Sequence, residues 1–230
     1  MKDLLPIARS KSLKEQAYEI LKGMILTGRL EQDKLHNEKR VAEALGVSRT
    51  PVREALLELS REGMIIFLPG KGFKVRNFTL QEIQEVFDVR RIIEGHVIRA
   101  ISQRLTEEDH DQIQRLIAKL EKLAGRNDRT TFIETDKEFH QFLASRMGNR
   151  KIQTILMGLR DQIHLMGIQA LEYSDRMQQV IQEHQRIHSA LRERDGERAR
   201  EEMLSHLRNT ESILTSNHVE THQGEEATQR

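Results

Sequence analysis

Apolar residues recur along most of this chain at spacings of three and four, the period of a helix with one buried face. The first stripe is Leu13, Ala17, Ile20/Leu21 and Met24/Ile25. Ser12, with Glu15 three residues on, can open it as a capping box, and Gly28 closes it. A shorter helix is predicted from about Asn37, its N-cap, to Leu45, with Val41, Ala42 and Leu45 facing inward. Gly46-Val47 makes a tight turn, and a third helix runs to about Glu62, with Ser48 as its cap. Its apolar face is Val52, Ala55, Leu56 and Leu59, and Pro51 sits in the first turn, where a missing N–H costs little. Then the period breaks. MIIFL and FKVRN are β-rich runs flanking Pro69-Gly70-Lys71-Gly72, which predicts a hairpin. Three helices followed by a hairpin is the order of a winged helix-turn-helix.

From Thr79 the helical period returns and stays, with helices predicted near 79–104, 107–124, 129–148, 150–172, 175–194 and 196–216. Thr79 with Glu82 and Thr106 with Asp109 are N-terminal capping pairs. Six amphipathic helices with short loops predict an antiparallel bundle. The expected fold class is therefore mainly α. A winged helix-turn-helix over 12–77 follows a flexible arm (1–11) and precedes an all-helical domain (79–216). The tail 217–230, SNHVETHQGEEATQR less its first residue, is polar and aperiodic and is expected to be disordered.

Composition narrows the setting. The 230 residues are 37% hydrophobic and 32% charged, and no run reaches the roughly 18 to 20 apolar residues of a membrane span. The first residues, MKDLLPIARSKS, lack the apolar run of a signal peptide, so a cytoplasmic location with no membrane partner is expected. The absence of cysteine excludes disulfides and thiolate metal sites and leaves only nitrogen and oxygen ligands. The net charge of +1 conceals an asymmetry: residues 1–78 carry 15 Lys and Arg against 10 Asp and Glu, and the remainder 22 against 26. A basic first third on an acidic remainder suits a nucleic-acid module joined to a domain of another purpose.

The third helix supplies the chemistry for the first purpose. Arg49 lies at its start and Arg53 one turn on, on the same face, where a recognition helix meets base edges. Arginine binds guanine O6 and N7 in a bidentate manner. Ser48 and Thr50 offer hydroxyls and first-turn N–H groups to phosphate. Lys39 is placed to reach the backbone or a base, and Lys71, Lys74 and Arg76 charge the hairpin. Each of these cations taken singly reads more readily as a solvated surface charge; their clustering at one helix start is what points to double-stranded DNA.

The helical domain holds an oddity. Asp136 and His140 interrupt the stripe of Phe132/Ile133, Phe139, Leu143 and Met147; His184 interrupts Val180/Ile181, Ile187 and Leu191; and His206 lies among Met203, Leu207 and Thr210. One carboxylate and three imidazoles thus point inward from three helices. Buried polar groups need partners. A shared divalent ion of the Zn, Ni or Mn kind would satisfy all four, and four separately satisfied core residues is the other reading. His164 and His188 are read as non-ligands. Arg90 shares a face with Ile83, Phe87, Val97 and Ile101. Its partner is either Glu94, one turn on, or the carboxylate of an effector.

Leu35, Glu38, Val41-Ala42, the run Leu45-Gly46-Val47-Ser48-Arg49, Pro51 to Leu56, Leu59, Glu62-Gly63-Met64, Gly70, Gly72 and Val75 together resemble the DNA-binding domain of the GntR family of bacterial regulators. The resemblance implies that Arg49 and Arg53 contact DNA, helped by Lys39, Ser48, Thr50 and Gly70. Gln32-Asp33 stands where that family usually has Pro-Gly. Residues 80–214 look like the FCD effector domain of the FadR-like branch, through Val89-Arg90, Ile93-Glu94, Asp136, Phe139-His140, Glu183-His184, Ile187 and His206-Leu207. The six-helix length resembles the VanR-type subgroup. This resemblance implies that Asp136, His140, His184 and His206 hold a metal ion, and that the effector is a small organic acid. The expected function is a dimeric, ligand-responsive, sequence-specific transcription regulator, most simply a repressor. Alternatives are a regulator in which the ion itself is the effector, and a metallohydrolase using Asp161, Glu183 or Glu201/Glu202 as general base. The enzyme is the reading least supported, since nothing singles out one of those bases.

Overall fold

The computed structural model describes residues 11–32, 34–171 and 175–228, excepting the side chains of Arg160, Gln169 and residues 217–228. The expected arm falls, save for Lys11, outside the described residues, as do Asp33 and residues 229–230. The chain divides into two compact units, 1–77 and 78–230.

In the first unit the order is α1 (Leu13–Leu26), α2 (Glu38–Leu45), α3 (Arg49–Arg61), β1 (Ile65–Leu68) and β2 (Gly72–Val75). Ser12 and Glu15 form the expected capping box, and Asn37 Oδ1 accepts from the backbone N–H of Lys39 and Arg40. Gly46 closes α2 at φ 67°, the left-handed conformation that lets the chain turn into α3. Ala17, Leu21 and Ile25 of α1 pack against Val52, Ala55, Leu56 and Leu59 of α3, all buried. β1 and β2 pair antiparallel with Ile65 opposite Val75 and Leu68 opposite Gly72. Phe73 also exchanges two backbone bonds with His36, of 2.8 and 3.0 Å, which fastens the loop before α2 to the hairpin. That contact demands Gly72: its φ is 136°, and a Cβ there would lie 2.1 Å from the His36 carbonyl oxygen.

The second unit is all-helical among its described residues: α4 (Leu80–Ile101), α5 (Glu107–Gly125), α6 (Arg129–Arg146), α7 (Arg150–Ala170), α8 (Arg176–Arg192) and α9 (Gly196–Thr228). Thr79 with Glu82 and Thr106 with Asp109 are both complete capping boxes. α9 packs on α4 and α8, α5 on α6 and α8, and α6 on α7. Their shared core holds Phe87, Phe132, Phe139, Ile98, Ile117, Ile187 and Leu207, none more than 1% exposed. Burying each such side chain contributes roughly 1.5–3 kcal/mol. The last helix runs on to Thr228, where the sequence pattern predicts an end at 216 and disorder beyond it. An existing helix extends without a second nucleation cost, so polar residues with no stripe can still continue it.

Candidate functional site

Two groups of polar side chains stand out, one in each unit. In the first, Ser48, Arg49, Thr50 and Arg53 are all exposed at the start of α3. Ser48 occupies the N-cap position, but its side chain makes no capping hydrogen bond, contrary to the expectation from its position. Its ψ of 165° places the residue correctly while the hydroxyl is left for another acceptor or donor. Arg49 Nε lies 3.6 Å from Oε1 of buried Glu38, an oxygen with no hydrogen-bond partner. Arg53 lies over the Phe67 ring, 5.6 Å from its centre. Glu38, Arg49, Thr50, Arg53, Glu54 and Leu57 line an open groove. Lys39 is exposed one helix earlier with Glu43 3.7 Å away, and Gly70, at φ 75°, is in the exposed hairpin turn. Fixed cations with hydroxyls at one helix start suit a phosphate-lined partner.

In the second unit, α6, α8 and α9 bring one ligand atom each from Asp136, His140, His184 and His206 within 4.8 Å of one another. The imidazoles are aimed by carboxylates. His140 Nδ1 is 2.5 Å from Glu94 Oε2, and His206 Nδ1 is 2.7 Å from Glu183 Oε2. Their Nε2 atoms consequently face each other at 3.2 Å. His184 is fully buried, stacked on Phe139 at 3.9 Å, and neither of its nitrogens has a hydrogen-bond partner. Its Nε2 approaches Asp136 Oδ1 to 3.3 Å, an ion-pair distance without hydrogen-bond alignment, and that oxygen too lacks a hydrogen bond.

The carboxylates behind the histidines are themselves anchored. Glu94 takes Arg90 Nε at 2.6 Å. Glu183 takes two bonds of 2.8 Å from buried Arg176 and one of 2.8 Å from Asn209. Burial alone would raise both acids, but Arg90 and His140 around Glu94, and His206 and Arg176 around Glu183, hold them ionised well below the usual range. Burial, followed by the neighbouring His206 and His140, pushes His184 far down and keeps it neutral. Burial also lowers His206, against the pull of Glu183. Imidazoles with Nδ1 tied to carboxylates and Nε2 pointing to one centre, as in His140 and His206, have the orientation that metal-ligating histidines take. Orphaned nitrogens and an orphaned carboxylate oxygen at that centre make the residues fit a divalent ion.

Beside this centre lies a cavity of about 270 Å³ between α4, α6 and α7. Arg90, Glu94, Asp136 and His140 are among the residues that line it.

Residues 13–75 match the gntR family of bacterial regulatory proteins, and residues 85–209, more than half the chain, match the FCD domain. The chain belongs to the GntR family of regulators with an FCD domain. It is 26% identical over 193 residues to the HTH-type transcriptional regulator YdhC of Bacillus subtilis, covering 84% of this chain and 86% of that protein. It is 25% identical over 198 residues to the HTH-type transcriptional repressor RspR of Escherichia coli, covering 86% and 87%. The fold matches E. coli McbR/YncC with a TM-score of 0.74 at 23% identity, over 91% of this chain and all of that one. A GntR regulator from Rhodococcus sp. RHA1 matches with a TM-score of 0.78 at 20% identity, over 90% and 99%. As a GntR regulator the chain is a DNA-binding transcription factor and not an enzyme. No helix among its described residues is long and apolar enough to cross a membrane.

Within this GntR chain, sequence reasoning did not find the roles of Glu183, Arg176 and Asn209 in aiming His206. It also offered Glu94 only as a partner of Arg90. Glu94 in fact bridges Arg90 and His140, so the arginine both pairs internally and lines the cavity. His188 lies apart from the centre, its ring 5.5 Å from that of His110. His164 is buried in the cavity wall, 3.4 Å from Glu134.

Proposed function

We propose that this chain is a dimeric repressor that senses a small organic acid beside a bound divalent metal ion of the Zn, Ni or Mn kind. One observation carries the reading: four ligand atoms within 4.8 Å, orphaned or aimed at one another, two of them on residues (Asp136 and His140) that line a cavity with Arg90. Asp136, His140, His184 and His206 would hold the ion. When bound, it supplies positive charge and open coordination positions for a carboxylate. Arg90 orients that carboxylate through its guanidinium, keeping Nε on Glu94. Arg49 and Arg53 read base edges in the major groove, Ser48, Thr50 and Lys39 hold phosphate, and Gly70 brings the hairpin turn close to the duplex. Two copies on a near-palindromic operator supply the half-sites, and the effector changes operator affinity by favouring one arrangement of the helical domain. The six-helix length supports a place in the VanR-type subgroup, and a cytoplasmic site of action follows from the DNA partner.

The test is metal analysis of the purified protein and of His184→Ala, a thermal-shift screen of organic acids on both, and selection of operator DNA from a random pool. About one divalent ion per chain in the wild type and none in the variant, with an acid that stabilises only the wild type and shifts operator affinity, is the expected result. No metal, and a melting point unmoved by chelator, would sink the metal-centred reading. A second reading makes the ion itself the effector, because the four ligands form a full set without any acid. Rapid exchange of the ion, with operator affinity following free metal, would favour it.

A further inference from the structure

The shape and lining of the cavity say more about the acid than its charge. Away from Arg90, Glu94, Asp136 and His140, the apolar side chains of Ile133, Ala144, Leu156, Met157 and Ile163 share the wall with Gln141, Gln153 and buried His164. Among the ionisable groups on the wall, Arg90 and Lys137 balance Glu94 and Asp136, and Lys137 is also 3.4 Å from Glu134. A divalent ion at the histidine centre would leave a small positive excess, all of it gathered at that centre, Arg90 and Lys137. A protein cavity of about 150 Å³ holds one benzene ring. A cavity of 270 Å³ therefore holds a little under twice as much, about eleven non-hydrogen atoms. Three of those belong to a carboxylate, leaving about eight carbons for the body.

A hydroxylated acid of that size fits this wall poorly. A hydroxyl set against Ile133, Leu156 or Ile163 would lose its water with no partner there, and Gln141 and Gln153 can serve only part of a polyol, which weakens its binding against an apolar body. We infer that the effector is an amphipathic monocarboxylate, its carboxylate at Arg90 and the histidine centre and an alkyl or aryl body of about eight carbons along α6 and α7. This inference rests on the carboxylate-sensing reading above and specifies it.

The test is calorimetric titration of the full-length protein, loaded with zinc, with straight-chain acids from acetate to dodecanoate, with 3-phenylpropanoate, and with gluconate as a polar acid of similar size. Affinity is expected to rise about fourfold for each methylene buried, up to about eight carbons, and then to stop rising. Octanoate and 3-phenylpropanoate should bind at least a hundredfold more tightly than gluconate. Leu156→Trp, which narrows the apolar wall at a half-buried position, should weaken octanoate at least tenfold while leaving propionate within twofold and the zinc content unchanged. Flat affinity along the series, or gluconate binding as tightly as octanoate, overturns the apolar-body inference and leaves carboxylate sensing intact. Zinc-loaded protein that binds none of these acids overturns both.

Discussion

His184 gives the sharpest prediction, because its effect on stability should change sign with metal. The side chain is fully buried, and both ring nitrogens lack a hydrogen-bond partner. A buried, unsatisfied polar group costs about 1–3 kcal/mol. Leucine is close in volume and has nothing to satisfy, so His184→Leu removes that penalty. It also gives up the stacked contact with Phe139 at 3.9 Å, a loss of about 1 kcal/mol. The balance in metal-free protein is a gain of about 1 kcal/mol, a rise in melting temperature of about 2–4 °C for a protein of this size. With metal at about a hundred times its dissociation constant, the wild type instead gains about 2.7 kcal/mol that the variant lacks. Differential scanning calorimetry in chelator and in excess zinc should therefore show the variant above the wild type in the first and below it in the second. A variant less stable than wild type in both conditions would refute the argument, since the imidazole would then be a satisfied core residue.

Other predictions concern both units. Arg49→Ala and Arg53→Ala should each weaken selected operator DNA by about 1–3 kcal/mol with little change in melting temperature, because both side chains are exposed; equal losses on operator and on random DNA would argue against base contacts. Gly72→Ala should destabilise the first unit by more than about 2 kcal/mol in urea unfolding, since the added Cβ meets the His36 carbonyl oxygen at 2.1 Å; a cost below about 0.5 kcal/mol would mean the loop is not fastened there. His188 is pushed down from 6.5 to about 4 by burial and by neighbouring His110 and Arg192. The unfolded chain thus takes up a proton between pH 6.5 and 4 that the folded chain refuses, so this stabilisation is complete above pH 6.5, falls with pH through that window and is flat below it. His188→Leu should remove on the order of 3 kcal/mol of acid sensitivity there; an unchanged stability profile in this window counts against the burial of the ring.

The elements legible in the sequence were those with local signals. Ser12/Glu15, Thr79/Glu82 and Thr106/Asp109 are capping pairs within one turn, and each forms. Asp136 and His140 are four apart on one stripe, so their convergence with His184 and His206 was readable once three helices were assumed to share a core. What escaped depends on distant pairs. Glu94 meets His140 across 46 positions and Glu183 meets His206 across 23, and no periodicity announces either. Arg176 begins its helix, where a basic side chain is usually solvated, yet it is 1% exposed. The bridge between His36 and Phe73 involves too few residues to set a pattern. Ser48 had the right identity and backbone for a cap but not the bond, which only coordinates decide.

Glu94 has two oxygens and two clients. Oε1 serves Arg90 on the cavity wall and Oε2 serves His140 at the histidine centre. An anion held by the other N–H groups of Arg90 would weaken the Nε bond to Glu94 without breaking it, leaving more negative charge for the imidazole and making its far nitrogen a better donor to a cation. A cation at that nitrogen, by withdrawing charge in turn, loosens the hold of Glu94 on Arg90 and leaves the arginine readier for an anion. The two proposed occupants would then favour each other by one common factor, whichever arrived first. If the proposed ion and acid both bind, one glutamate would make the chain answer to the pair together, a logical conjunction written in a single carboxylate.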